Sequence, residues 1–261
     1  NFADMKFIDT HSHLYSSQFD NDRTEVVKNA IEAGVSTILL PNISSKYTNK
    51  MLDLCSEFPK NCFPMIGLHP CDVNEENYQT ELAHVEEQLI SNQYIAIGEI
   101  GLDLYWEKKT LEIQKKAFIE QIILAKNHNL PIVIHVREAF EEAFEIIKEF
   151  NDENLRGVFH CFTGAIEDAK KIIQLGDFFL GIGGVLTFKN SSLDQTIKEI
   201  DLNHIILETD SPYIAPAPFR GKRNESKYIL PIAEKLAQIH NVNIRHIAKK
   251  TTENAQNLFK I

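Results

Sequence analysis

The sequence predicts an α/β fold, a TIM (β/α)8 barrel, and three observations carry that expectation. Eight short apolar, β-branched runs alternate with longer stretches of helical periodicity from end to end. The runs are nearly continuous in apolar residues, as strands of a parallel sheet covered by helices must be. The length, 261 residues, suits a barrel, which typically needs about 250. A doubly wound open sheet is the structural alternative, but the Gly-rich phosphate turn that usually follows its first strand is missing.

The expected strands are Lys6 to His11, Ser36 to Leu40, Phe63 to Leu68, Tyr94 to Glu99, Ile132 to Val136, Gly157 to Cys161, Phe178 to Gly183 and Ile205 to Thr209. Between the first two, Val26, Val27, Ala30 and Ile31 recur at helix spacing and stop at Gly34, a natural C-terminal glycine. Leu111, Ala117, Phe118, Ile122 and Ala125 form a similar stripe that ends before Leu130-Pro131. The one irregular region is Ser211 to Ser226, with three prolines (Pro212, Pro216, Pro218) and a basic cluster up to Arg223. It reads as a long ordered loop after the eighth strand, where barrel loops often carry function. No linker or low-complexity tract divides the chain, so residues 1–261 are expected to form one domain. Asn1 to Asp4 read as an extra stretch ahead of a start at Met5.

With 43% apolar side chains the chain can bury a large core. No apolar run is long enough to cross a bilayer, and the N-terminus lacks a basic segment followed by a long apolar one, so a soluble, cytoplasmic protein is expected. Cys55, Cys62, Cys71 and Cys161 show neither a Cys-x-x-Cys pair nor a secreted disulfide framework, and read as reduced thiols. A formal charge of −10 argues against a broad, nonspecific grip on nucleic-acid phosphates and leaves a local one open.

The chemistry is announced by Asp9-Thr10-His11-Ser12-His13. Alternation along an extended segment points Asp9, His11 and His13 the same way, two imidazoles beside a carboxylate, the donors a divalent metal accepts. Other polar residues fall where a barrel builds its active site, at the carboxyl ends of strands. His69 follows the third strand, Glu99 ends the fourth, His135 lies on the fifth, His160 on the sixth, and Asp210 follows the eighth. Each alone reads as a satisfied core residue. Together they have no comparable structural excuse, because buried unpaired charges are costly.

These segments resemble the TatD family of metal-dependent deoxyribonucleases, a branch of the amidohydrolase-like barrels. The likeness extends over nearly the whole chain and rests on Phe-Ile-Asp-Thr-His-Ser-His, Gly-Leu-His-Pro around His69, Ile-Gly-Glu-Ile-Gly-Leu-Asp through Asp103, Val-Ile-His-Val-Arg through Arg137, Phe-His-Cys-Phe-Thr-Gly through Gly164, and Leu-Glu-Thr-Asp-Ser-Pro-Tyr through Tyr213. One departure stands out: Arg223-Asn224-Glu225 is followed by Ser226, where the family commonly has proline.

The resemblance implies a barrel of the metal-dependent hydrolase type holding two divalent ions, Mg²⁺, Mn²⁺ or Zn²⁺. His11, His13, Glu99 and Asp210 would hold one ion and Glu99, His135 and His160 the other, with Glu99 bridging. It further implies phosphodiester hydrolysis in DNA, as an exonuclease on single strands or 3′ ends, in DNA repair or degradation. Asp210 is the candidate general base, Glu208 a residue that orients the site, and His69 a contact to the scissile phosphate or a proton donor to the leaving group. Arg137 is placed to reach the mouth, Arg220, Lys222 and Arg223 cluster on the last loop, and Tyr105 and Trp106 could stack on a base. The same barrel and ligand set can also polarise an amide or ester carbonyl in a small-molecule amidohydrolase or esterase, although basic residues near the mouth favour phosphate; a complete ligand set with a candidate base argues against a noncatalytic metal-dependent binding protein. Neither a membrane nor an obligate protein partner is expected.

Overall fold

The computed structural model describes residues 5–261, so the expectation for Asn1 to Asp4 lies outside them. Eight strands occur among the described residues, and every pairing is parallel. They are β1 (Phe7–Asp9), β2 (Val35–Leu40), β3 (Cys62–Pro64), β4 (Ile97–Asp103), β5 (Ile132–Arg137), β6 (Gly157–Phe159), β7 (Phe178–Ile182) and β8 (Ile205–Leu207). Between successive strands run α1 (Arg23–Glu32), α2 (Ser45–Glu57), α3 (Tyr78–Ser91), α4 (Leu111–Asn127), α5 (Phe140–Phe150), α6 (Ile166–Gln174) and α7 (Leu193–Lys198). After β8 come α8 (Ile229–His240) and α9 (Ile244–Phe259).

The ladder pairs β1 to β3 and β4 to β8 in chain order. Single parallel bridges, Ile66 to Ile97 and Ser12 to Ser211, join the two groups at both edges. Thr10 N–H donates to Leu207 O at 3.1 Å across the second seam. The ring is thereby closed into a (β/α)8 barrel.

The helical stripes behave as their spacing predicts. Val26, Val27 and Ala30 are buried on α1, and Gly34 follows at φ 97°, a conformation that favours glycine. Ala117, Phe118, Ile122 and Ala125 are buried on α4. Several strands are shorter than expected, and β4 is displaced forward to reach Asp103 instead of stopping at Glu99. Gly101 explains the difference. A Cβ there would lie 2.0 Å from His135 O, so the absence of a side chain at Gly101 is what lets β4 press against β5.

Inside, one apolar cluster draws Ile8, Leu39, Met65, Ala96, Val133, Val158 and Ile206 from seven strands or the residues adjoining them, with Phe179 of β7 against it. Ala255, Leu258 and Phe259 of α9 pack into the same cluster and plug it. This layer lies just upstream, along each strand, of the polar residues that concern function.

Candidate metal centre

The polar layer is built from backbone that the barrel holds in place. Beyond the end of β1 the chain stays extended: Ser12 N–H donates to Leu39 O (3.1 Å) and His13 N–H to Ser211 O (2.7 Å). Asp210 N–H returns a bond to His11 O (2.8 Å), so His11, His13 and Asp210 share the seam between the first and last strands. Asp210 takes the left-handed conformation, φ 57°, which aspartate tolerates better than most residues. Asn224 fixes the loop around it, donating to Thr209 O (2.7 Å) and Tyr213 O (2.6 Å).

Glu99 sits at the centre, buried, with an imidazole on nearly every side. Its Oε2 lies 3.1 Å from His11 Nε2 and 3.4 Å from His13 Nε2. Its Oε1 lies 2.8 Å from His135 Nδ1, 2.9 Å from His160 Nε2 and 3.4 Å from His69 Nε2. Asp210 Oδ1 joins the first group, 3.5 Å from His13 Nε2 and 3.8 Å from His11 Nε2. The two oxygens of one carboxylate thus face two separate sets of donors.

The outer nitrogen of each ring decides what the inner one can do. Tyr15 Oη donates to Pro41 O and so accepts from His13 Nδ1 at 2.9 Å, leaving Nε2 of the neutral ring with its lone pair toward the centre. His135 Nε2 meets Asp103 Oδ2 at 2.9 Å, which directs the Nδ1 lone pair inward. His160 Nδ1 lies 3.3 Å from Glu208 Oε1, with its Nε2 inward. Such carboxylate–imidazole pairs orient metal-ligating histidines. Glu208 itself accepts from Cys161 N–H at 2.6 Å and lies against Gly181, where a Cβ would come within 2.4 Å of its Oε2. His69 is the opposite case. Its Nδ1 accepts from Cys71 N–H (3.0 Å), so the ring proton is on Nε2 and faces Glu99 as a donor. In this pose His69 is a hydrogen-bond donor and not a ligand.

Electrostatics follow from the same contacts. Burial pushes Glu99 upward, but His160, His69 and His11 outweigh it and hold the carboxyl well below its ordinary range. Burial is likewise outweighed at Asp210 by His13 and His160, and at Asp103, which His135 brings down to about 2. Burial opposes protonation of His13, yet Asp210 and Glu99 raise it to about 10. His135 and His160 are raised by their carboxylates in the same way, while burial lowers His11 and His69. The carboxylates of this cluster find only imidazoles as cationic partners; no lysine or arginine pairs with Glu99, Asp103, Glu208 or Asp210 among the described residues. Ligand atoms of His11, His13 and Glu99 lie within 4.8 Å of one another, as do those of His11, His160 and Asp210 and those of His69, Glu99 and His135. This mixed nitrogen and oxygen donor set, rich in negative charge, fits divalent cations.

Every expected ligand, His11, His13, Glu99, His135, His160 and Asp210, is therefore in the cluster, and so is His69. Asp9 is not. Its carboxylate accepts from Thr209 N–H (2.8 Å) and Thr209 Oγ1 (2.6 Å), tying the barrel seam instead of joining His11 and His13. Of the cations, Arg137 lies 3.6 Å over the Tyr105 ring and Arg220 4.1 Å over Phe188. Arg223 is committed elsewhere. Its Nη1 donates to Gln18 O and Asp22 Oδ1, both at 2.8 Å, and its Nη2 to Asp22 Oδ2 (2.6 Å) and Glu225 Oε1 (3.2 Å). With its terminal N–H groups so occupied it clamps the last loop to the segment before α1 and offers a phosphate little. Two contributors carry no role in the sequence reading. Asp103 has a visible signal, its place at the end of the Ile-Gly-Glu-Ile-Gly-Leu-Asp segment, but Tyr15 has none, because its partner nitrogen is known only once the loop is folded.

Comparison with known proteins agrees with this arrangement. The family model for TatD-related DNase matches residues 8–260. The metal-dependent hydrolase YabD of Bacillus subtilis, itself uncharacterized, is 39% identical over 254 residues, 97% of this chain and 98% of that protein. A Rahnella protein named 3′-5′ ssDNA/RNA exonuclease TatD is 32% identical over 255 residues, covering 95% of this chain and 96% of its own length. The crystal structure of YjjV, a TatD homologue from Escherichia coli K12, superposes with a TM-score of 0.91 at 28% identity, each chain being covered to 98%. Since the family match runs from within β1 to just past α9 and takes in all of the polar residues gathered at the mouth, the chain belongs to the TatD family of metal-dependent hydrolases.

Proposed function

We propose that this chain is a deoxyribonuclease that hydrolyses phosphodiester bonds of single-stranded DNA or DNA 3′ ends with two divalent cations, Mg²⁺, Mn²⁺ or Zn²⁺. The observation that carries this reading is the division of Glu99: Oε2 toward His11 and His13, Oε1 toward His135 and His160. His11, His13, Asp210 and Glu99 would hold one ion, and Glu99, His135 and His160 the other. Divalent cations held there would supply Lewis acidity toward a phosphoryl oxygen and lower the pKa of a water.

The remaining steps belong to the chain. Asp210, ionised at neutral pH, takes the proton of that water. His69, with its proton held on Nε2, donates to a phosphoryl oxygen or to the leaving oxygen. Asp103 and Tyr15 keep the rings of His135 and His13 in their tautomers, and Glu208 sets its charge beside the outer nitrogen of His160. Arg137 and Arg220, stacked on aromatic rings, contact flanking phosphates. The Rahnella relative's name supports a nucleic-acid substrate and 3′ to 5′ polarity. The free cysteines suit a reducing compartment such as the cytoplasm, and the whole chain is read as one catalytic domain.

The test is cleavage of a fluorescent single-stranded oligonucleotide with and without EDTA, using strands capped at either end. Shortening from the 3′ end that EDTA abolishes is expected. EDTA-sensitive hydrolysis of small esters or amides with DNA left intact would assign the small-molecule reading, and metal-dependent binding without any turnover the noncatalytic one.

A further inference from the structure

On the rim beside the polar layer, Trp106 is 71% exposed and Tyr105 49% exposed. Their rings meet edge to face with centroids 4.8 Å apart. The Arg137 guanidinium lies 3.6 Å from the Tyr105 centroid and 5.7 Å from that of Trp106. Arg23 and Arg223 pair with carboxylates, whereas Arg137 has no such partner among the described residues. Two large rings left in water next to an uncompensated cation form a surface suited to a π-face joined to an anion.

This group is indexed to the polar layer through one side chain. Asp103 Oδ1 accepts from Tyr105 N–H (2.9 Å) while its Oδ2 holds His135 Nε2 (2.9 Å). Leu104 N–H donates to Arg137 O (2.9 Å), locking the end of β5 to the start of the aromatic loop. The carboxylate that orients a proposed metal ligand therefore also sets the position of the aromatic pair.

We infer that Trp106 and Tyr105 form a stacking subsite for an unpaired nucleobase, with Arg137 on the adjoining phosphate. The inference rests on the phosphodiesterase reading above and adds a source of specificity. A base inside a duplex has both faces covered by its neighbours, so the platform accepts single strands and frayed ends and rejects blunt duplex. Stacking on a π-face is tolerant of base identity, so little sequence preference is expected.

Trp106 is the only tryptophan in the chain, and its emission reports directly on the subsite. The full chain in Mg²⁺ is titrated with a phosphorothioate single strand, with anisotropy of a labelled strand followed in parallel. Saturable quenching that tracks anisotropy is expected. A tetrahydrofuran backbone of equal length should bind without quenching, and a blunt duplex should not quench. W106A should weaken single-strand binding by about fivefold to a hundredfold, W106F should recover much of that loss, and R137Q should flatten the salt dependence. Strand binding without quenching, equal quenching by blunt duplex, or wild-type affinity in W106A would overturn the subsite and leave the phosphodiesterase reading standing. Absence of both binding and cleavage would overturn the two together.

Discussion

The same strands build two layers with opposite characters. Val133, Val158 and Ile206 belong to the apolar cluster plugged by α9. Two residues further along the same strands, or just past their ends, stand His135, His160 and Glu208 in the polar layer. The lower layer is complete in itself, because apolar side chains need only each other. The upper layer is not: it gathers carboxylates whose cationic partners are imidazoles alone, several of which must take up a proton in the metal-free chain. One layer supplies stability, and the other is a vessel that needs something from solution.

The sharpest way to break this comparison is E99Q. The substitution nearly preserves shape but removes the charge shared by both donor sets, so hydrolysis should vanish together with most bound metal, read by elemental analysis beside a strand-cleavage assay. Full occupancy in E99Q would show that Glu99 does not bridge. D210N should separate chemistry from binding, keeping much of its metal and its DNA affinity while single-turnover cleavage falls by about 10² to 10⁴. Near wild-type cleavage would remove Asp210 from the mechanism.

The lower layer predicts the converse. Leu258 is buried in it, and L258A should cost about 2–5 kcal/mol of stability in chemical denaturation without altering metal content per folded chain. Metal loss in proportion to stability would merge the two layers into one unit. D103N addresses the join between them, since Asp103 touches His135 from outside; metal affinity should fall about 10- to 100-fold by competition with a chelating dye.

The most graded effect is in pH. His13 is raised to about 10 in the metal-free chain, so from neutrality up to that value the ring carries a proton that a cation must displace. Affinity should therefore rise with pH, by up to about tenfold per unit between pH 7 and 9 for one displaced proton. A flat titration calorimetry profile over that range would mean that His13 is already neutral.

How much of this could be read from the sequence differs between the layers for a physical reason. Strand order follows from periodicity, and the convergence of His69, Glu99, His135, His160 and Asp210 follows from their places at strand ends, which barrel topology brings to one mouth. What the sequence hides is pairing between distant side chains. Asp9 reads as a ligand by alternation, yet Thr209, two hundred residues later, captures it. Arg223 reads as a free cation until Asp22 takes it. The fourth strand is expected to stop at Glu99, yet close approach at Gly101 carries it on to Asp103.

The bond between Asp9 and Thr209 also bears on when the enzyme comes into being. It ties the first strand to the last, and Asp210 follows immediately on the far side of that tie. During synthesis His11 and His13 emerge early and wait, without their carboxylate neighbour, while most of the barrel is still being added. Assembly of the polar layer is thus a late event in the life of each molecule, and a truncated or unfinished chain that ends before Asp210 carries His11 and His13 without the carboxylate that neighbours them in the folded barrel.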